Sequence, residues 1–203
     1  MGDIVGTNLG VHVATGLADT YVQPVNLAWR FSRADVTAGY GFMAPTGSYS
    51  RTSVANIGSG YWGHNVNSGN TFYLTKNKGT TANIFSNWES HTVKSGSNNT
   101  PGQAFTMEWG LGQSLPLDKE LNKIVQIGFV GYDQWQVTDN SGNLATHVPH
   151  YSAHAVGLQT NFIIQNKGLV FFFKYYNEQN AKAHPEGNTF VFGGSWTIRT
   201  PKS

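Results

Sequence analysis

The chain has 203 residues, a formal net charge of +2 at pH 7 and no cysteine, and 12% of its residues are charged, against about a quarter in ordinary soluble domains. That length suits one domain over residues 1–203, the missing cysteine excludes disulfides and thiolate chemistry, and the dispersed basic residues argue against a nucleic-acid partner. No apolar run approaches the roughly 18 residues of a membrane-crossing helix, so a membrane reading requires strands. Met1-Gly2-Asp3 lacks a basic and then apolar lead, so the start reads as a mature or recombinant end.

Period-two alternation, the mark of a strand with two unlike faces, recurs along the chain. Over residues 3–14, Leu9, Val11 and Val13 alternate with Asn8, Gly10 and His12; over 25–31, Val25, Leu27, Trp29 and Phe31 alternate with Asn26, Ala28 and Arg30. Pro24 cannot donate to a ladder, which places it at the start of that strand or at a bulge. Val36, Ala38, Tyr40 and Phe42 oppose Asp35, Thr37, Gly39 and Gly41 over 34–43. A fourth segment spans 61–74, and a fifth, 82–91, sets Ile84 and Trp88 against Phe85, Glu89 and His91.

The sixth segment, 105–112, sets Phe105, Met107, Trp109 and Leu111 against Thr106, Glu108 and Gly110. In the seventh, 125–137, Val125, Ile127, Phe129 and Trp135 oppose Gln126, Gly128, Tyr132 and Gln134, with Asp133 an exception on the apolar face. The eighth covers 155–164. The ninth, 169–176, sets Leu169, Phe171, Phe173 and Tyr175 against Phe172, Lys174 and Tyr176. The last, 189–199, sets Phe190, Phe192, Trp196 and Ile198 against Thr189, Val191, Ser195 and Arg199. In a soluble sandwich the apolar face forms the core; in a membrane barrel it meets lipid, and the polar face lines a wet lumen.

The connections alternate in length: 32–33, 44–59, 77–79, 92–103, 116–123, 138–150, 166–168 and 177–188. Short turns fall at one end and long loops at the other, as in outer-membrane barrels. The expectation is an all-β, antiparallel, up-and-down transmembrane barrel with ten strands in this chain. Trp62, Trp88 and Trp135 at the long-loop ends and Trp29 and Trp196 at the short-turn ends form two aromatic girdles; Trp109 falls nearer the middle. A lumen lined by the polar face includes Arg30, Asp35, Glu89, Glu108, Tyr132, Gln134, Phe172, Lys174, Tyr176 and Arg199. Charge at membrane depth costs roughly 2–4 kcal/mol for Arg or Lys on the lipid face, so its sorting to one face is informative. These charges either tune which solutes pass or pair across a filled interior. Lys76 and Lys123 share the outer face but sit at short-turn ends, where their stems can snorkel.

His147, His150 and His154 invite a metal reading, but the sequence places only Asp139 near them as a carboxylate, so they read as surface histidines. Residues 139–143 look like a calcium loop without its remaining ligands, and turn chemistry accounts for them. No nucleophile elbow, phosphate loop or zinc-protease motif is present. No cofactor or metal is expected, and an enzyme would need a Ser, His and acid site dispersed along the chain.

Gly16-Leu17-Ala18-Asp19-Thr20-Tyr21-Val22-Gln23-Pro24, Ala44-Pro45-Thr46-Gly47, Asn56-Ile57-Gly58 before Tyr61-Trp62, Gly131-Tyr132-Asp133-Gln134 through Thr138-Asp139-Asn140-Ser141-Gly142, and Ala183-His184-Pro185-Glu186-Gly187 follow one another in order. Together they resemble the proteobacterial outer-membrane proteins of the "MetA pathway of phenol degradation" family, which includes SphA-like proteins. The resemblance implies a monomeric barrel in the outer membrane of a Gram-negative bacterium, in contact with membrane lipid and passing small hydrophobic or aromatic solutes. It implies no enzyme, and a parent barrel of twelve strands with more sequence ahead of Gly16. Two other readings stand beside it: a barrel enzyme acting on lipids, and a soluble β-sandwich or calyx that binds a ligand.

Overall fold

The computed structural model describes residues 15–53, 56–142, 149–183 and 186–198. Nine strands form one antiparallel sheet in which each pairs with the next in sequence: β1 (Thr20–Arg30), β2 (Ala34–Ala44), β3 (Gly63–Tyr73), β4 (Thr80–His91), β5 (Ala104–Pro116), β6 (Lys123–Gln136), β7 (Ser152–Ile164), β8 (Leu169–Lys182) and β9 (Asn188–Trp196). The only helical element among the described residues is a 3-10 turn, Gln165–Lys167, closed by Gly168 at φ 61, where a left-handed residue favours glycine. The up-and-down all-β architecture read from the alternation is the architecture present. The strand expected over 3–14 lies outside the described residues.

Every later segment became a strand because its alternation matches the pleat. The Pro24 expectation also holds, since the β1–β2 register shifts between Val22 and Val25. Two boundaries need correction: the last strand, expected over 189–199, ends at Trp196, with Thr197 and Ile198 beyond it, and the end of β8 also moves. Residues 177–188 were expected to loop, yet β8 continues to Lys182, with Asn177 opposite Asn188, Glu178 opposite Ala155 and Gln179 opposite His154. The polar run 177–182 carries no apolar alternation, and backbone pairing to β7 sustains the strand without it.

The sheet is inside-out by the standard of a soluble fold. Among the described residues no large side chain is fully buried, and the buried apolar set is Ala104, Val130, Ala153, Ala155 and Tyr176. The face that alternation marked as apolar is the one left open: Leu158 is 55% exposed, Phe129 63% and Phe192 84%. The opposite face surrounds a cavity of about 610 Å³ lined by residues of β2 through β8. Seven consecutive strands bounding one space require the sheet to curl toward a barrel. Among the described residues it does not close on itself, and β1 and β9 are its edges.

Candidate functional site: the polar interior and its loop-side mouth

Residues facing the cavity alternate with those facing out, so a polar interior follows directly from the pleat. Asp35, Phe85, Glu108, Phe172, Lys174 and Tyr176 all line it. The Tyr73 hydroxyl donates to Asp35 Oδ2 at 2.6 Å, and Arg30 stands opposite Asp35 in the β1–β2 register. Tyr132 and Tyr176 meet edge to face with centroids 5.3 Å apart, beside Val130 and Ala155 in the small buried cluster. The Tyr132 hydroxyl donates to Glu178. This acid was missed in the sequence because its segment read as a loop. Gln134 lies on the same face, opposite Thr106 and Ala153. Arg199 and His147 lie outside the described residues.

At the long-loop end the loops are tied to one another. Arg51 Nη1 donates to the Gly96 carbonyl at 3.1 Å, and the Ser95 N–H to the Gly60 carbonyl at 2.7 Å. Thr100 bridges to Ser141, and the Gly102 N–H donates to Asn140 Oδ1 at 2.7 Å. Asp19 accepts from the Gly47 N–H at 2.9 Å and from the backbone and hydroxyl of Ser59. Burial opposes ionisation of Asp19, but the Ser59 and Gly47 hydrogen bonds outweigh it and hold the carboxyl below its ordinary value.

Glu89 and His91 sit at the same end of β4. His91 Nε2 is 2.7 Å from Glu89 Oε1 and Nδ1 is 2.9 Å from the Gly102 carbonyl. The Gly102 carbonyl can only accept, so Nδ1 carries a proton and donates to it, and one further proton is shared between Nε2 and Glu89 Oε1. Tyr61 packs edge-on against His91 with centroids 4.9 Å apart. Burial first, then the nearby Glu89 carboxylate, raise the phenols of Tyr61 and Tyr151 above their ordinary value.

On the outer face, rings run in series along the loop side: Trp88 to Phe105 at 6.1 Å, Phe105 to Trp135 at 5.9 Å, and Trp135 to His154 at 5.6 Å. Trp62 packs on Phe42 at 5.9 Å. Trp29 and Trp196 stand exposed near the short-turn ends of β1 and β9. Asp133, the exception on this face, is bonded to His154 Nδ1 at 2.7 Å and accepts from Trp109 Nε1 at 3.3 Å. The expectation that only Asp139 was available to the histidines is thereby corrected: Asp139 pairs with His150 at 2.7 Å, and Asp133 with His154. Pairing across β6 and β7 brings the latter two together, and their spacing in sequence gave no sign of it. No group of three or more His, Asp or Glu side chains among the described residues is placed to hold a metal.

The family model described as "Putative MetA-pathway of phenol degradation" matches residues 3–193. No curated protein and no solved structure matches the chain.

Proposed function

Since the chain belongs to this phenol-degradation family, we propose that it is an outer-membrane β-barrel channel that passes small molecules, and in particular small hydrophobic or aromatic compounds. The observation that carries the reading is the inversion of the sheet. Its exposed face is apolar and ringed with tryptophan, while its polar face bounds the 610 Å³ cavity. Apolar surface on this scale is stable against hydrocarbon and is an aggregation liability in water. Phe85, Phe172 and Tyr176 give the interior apolar patches beside Asp35, Glu108 and Lys174, so a ring and a polar substituent can both find partners along the way. The chain acts on this reading as a conduit, supplying its solute to degradative enzymes elsewhere.

The test is conductance of detergent-refolded protein in a planar bilayer, with solubility measured in parallel after detergent removal. Discrete current steps and loss of solubility are expected. Monodisperse, detergent-free protein that gives no steps would overturn the reading and restore the soluble ligand binder.

A further inference from the structure

The outer face carries a groove of its own. About 470 Å³ of open space lies among Leu111 and Gln113 of β5, Ile127 and Phe129 of β6, Leu158 and Thr160 of β7, and Thr80. In the register Leu111, Phe129 and Leu158 form one cross-strand row, and Gln113, Ile127 and Thr160 the next row toward the short turns. Thr160 is a short side chain between Ile127 and Phe173, so the face dips where β7 passes. No charged side chain lines the groove. An apolar, uncharged recess on a face that meets hydrocarbon is suited to hydrocarbon.

Toward the short turns the same face ends in a cation. Along β6 the outward residues run Phe129, Ile127, Val125 and then Lys123, which is exposed. Lys123 stands four to six residues from the two rows of the groove, about 13–20 Å along the strand. Half of a bilayer's hydrocarbon core is about 15 Å, so an acyl chain in the groove has its headgroup near Lys123. The acids of the adjoining turn are engaged elsewhere: Asp118 accepts from the backbone N–H groups of Asn122 and Lys123, and Glu120 from the Asn122 amide. Among the described residues no ion pair involves Lys123 or Lys119 of that turn. The other short turns add Arg33, Lys76, Lys78 and Lys167 and no acid. At the long-loop end the acids Asp19, Glu89, Asp139, Glu178 and Glu186 outnumber the cations Arg51, Lys94 and Lys182. Positive charge is thus sorted to the end that the groove leads to.

The geometry points to a lipid site: the groove holds one acyl chain of an anionic phospholipid from the leaflet at the short-turn end, with the phosphate at Lys123 and the β5–β6 turn. The acyl chain requires an apolar recess that reaches into the hydrocarbon, and the phosphate requires ammonium groups without carboxylate partners at the recess's outer end. Strand β6 supplies both on one face. A zwitterionic phospholipid fills the groove equally well but brings its own cation beside the lysines, so headgroup charge selects between the two. The inference rests on the membrane reading of the fold and is independent of whether the interior conducts.

The probes are dioleoyl phosphatidylglycerol and dioleoyl phosphatidylcholine, alike in acyl chains and different in headgroup charge. Each is titrated into the full chain refolded in one nonionic detergent, and retained lipid is counted by native mass spectrometry. Wild type is expected to retain one phosphatidylglycerol about fivefold more readily than phosphatidylcholine, the effect of one lysine facing an anionic headgroup. Lys123→Gln should bring the two lipids to within about twofold of each other, and Lys182→Gln, at the long-loop end, should leave the preference as in wild type. Thr160→Phe, which fills the groove, should lower retention of both lipids together; if it does not refold, Lys123→Gln decides alone. Equal retention of the two lipids by wild type, an undiminished preference in Lys123→Gln or undiminished retention in folded Thr160→Phe would overturn the lipid site. A dimer carrying no lipid would give the groove to a second copy and overturn it as well. Bilayer conductance of the same preparations reads the channel separately. Lipid preference without current steps would leave the lipid site standing and remove the channel, and steps without preference the reverse.

Discussion

Asp19 accepts two hydrogen bonds from Ser59, one from its backbone N–H at 2.7 Å and one from its hydroxyl at 2.5 Å. With the Gly47 N–H at 2.9 Å, a single carboxylate ahead of β1 fixes both ends of the loop between β2 and β3. The carboxyl ionises more readily folded than unfolded, so its contribution is complete above the ordinary value of 3.8 and is lost as pH falls through the lower folded value. Amide exchange at Gly47 and Ser59 should be faster in Asp19→Asn than in wild type at neutral pH. The difference should shrink as the pH drops below that ordinary value, and a constant difference would show that the anchor does not depend on charge.

Lys174 and the acids Asp35 and Glu108 line the same cavity, and ions crossing it should respond to each. Removing one charge changes the energy of a nearby ion by about 1 kcal/mol in water-like surroundings, a factor of about five. Lys174→Gln should shift the reversal potential in a potassium chloride gradient toward cations, and Glu108→Gln toward anions. Both shifts should fade at molar salt. Unchanged reversal potentials would place the ion path away from these side chains.

Asp133 satisfies both His154 and Trp109 on the outer face. Asp133→Leu strands two donors and should cost about 1–3 kcal/mol in urea unfolding from lipid vesicles. Replacing Asp133 and His154 together by leucine should recover most of that loss, because an apolar pair suits an apolar face. Additive losses in the double variant would show that the two side chains are not coupled.

At Gly157 in β7 an added Cβ would strike the Tyr175 carbonyl of β8, backbone that cannot turn aside. Gly157→Ala should lower stability by about 1–3 kcal/mol as the β7–β8 pairing shifts. Gly187→Ala, where a Cβ meets only the Glu178 carboxylate at 3.9 Å, is the matched control and should fall within about 0.5 kcal/mol of wild type.

Alternation is a local property of the backbone, so the sequence alone located β1 through β9 apart from the ends of β8 and β9, marked which face of each is apolar, put Pro24 at a strand start or a bulge, and sorted the long loops to one end. It likewise placed Asp35, Glu108, Phe172, Lys174 and Tyr176 on one face. Register between strands is not local, because it is set by pairing across a ladder and by the loops that join the strands. Only the tertiary structure therefore joined Asp133 to His154 and Tyr132 to Glu178, and extended β8 through a polar run that alternation left blank. Leu111, Ile127, Phe129 and Leu158 were legible one by one as outward residues of their strands, and nothing in that pattern set them apart. What singles them out is a shared groove made by the register of β5, β6 and β7, a property of three strands at once.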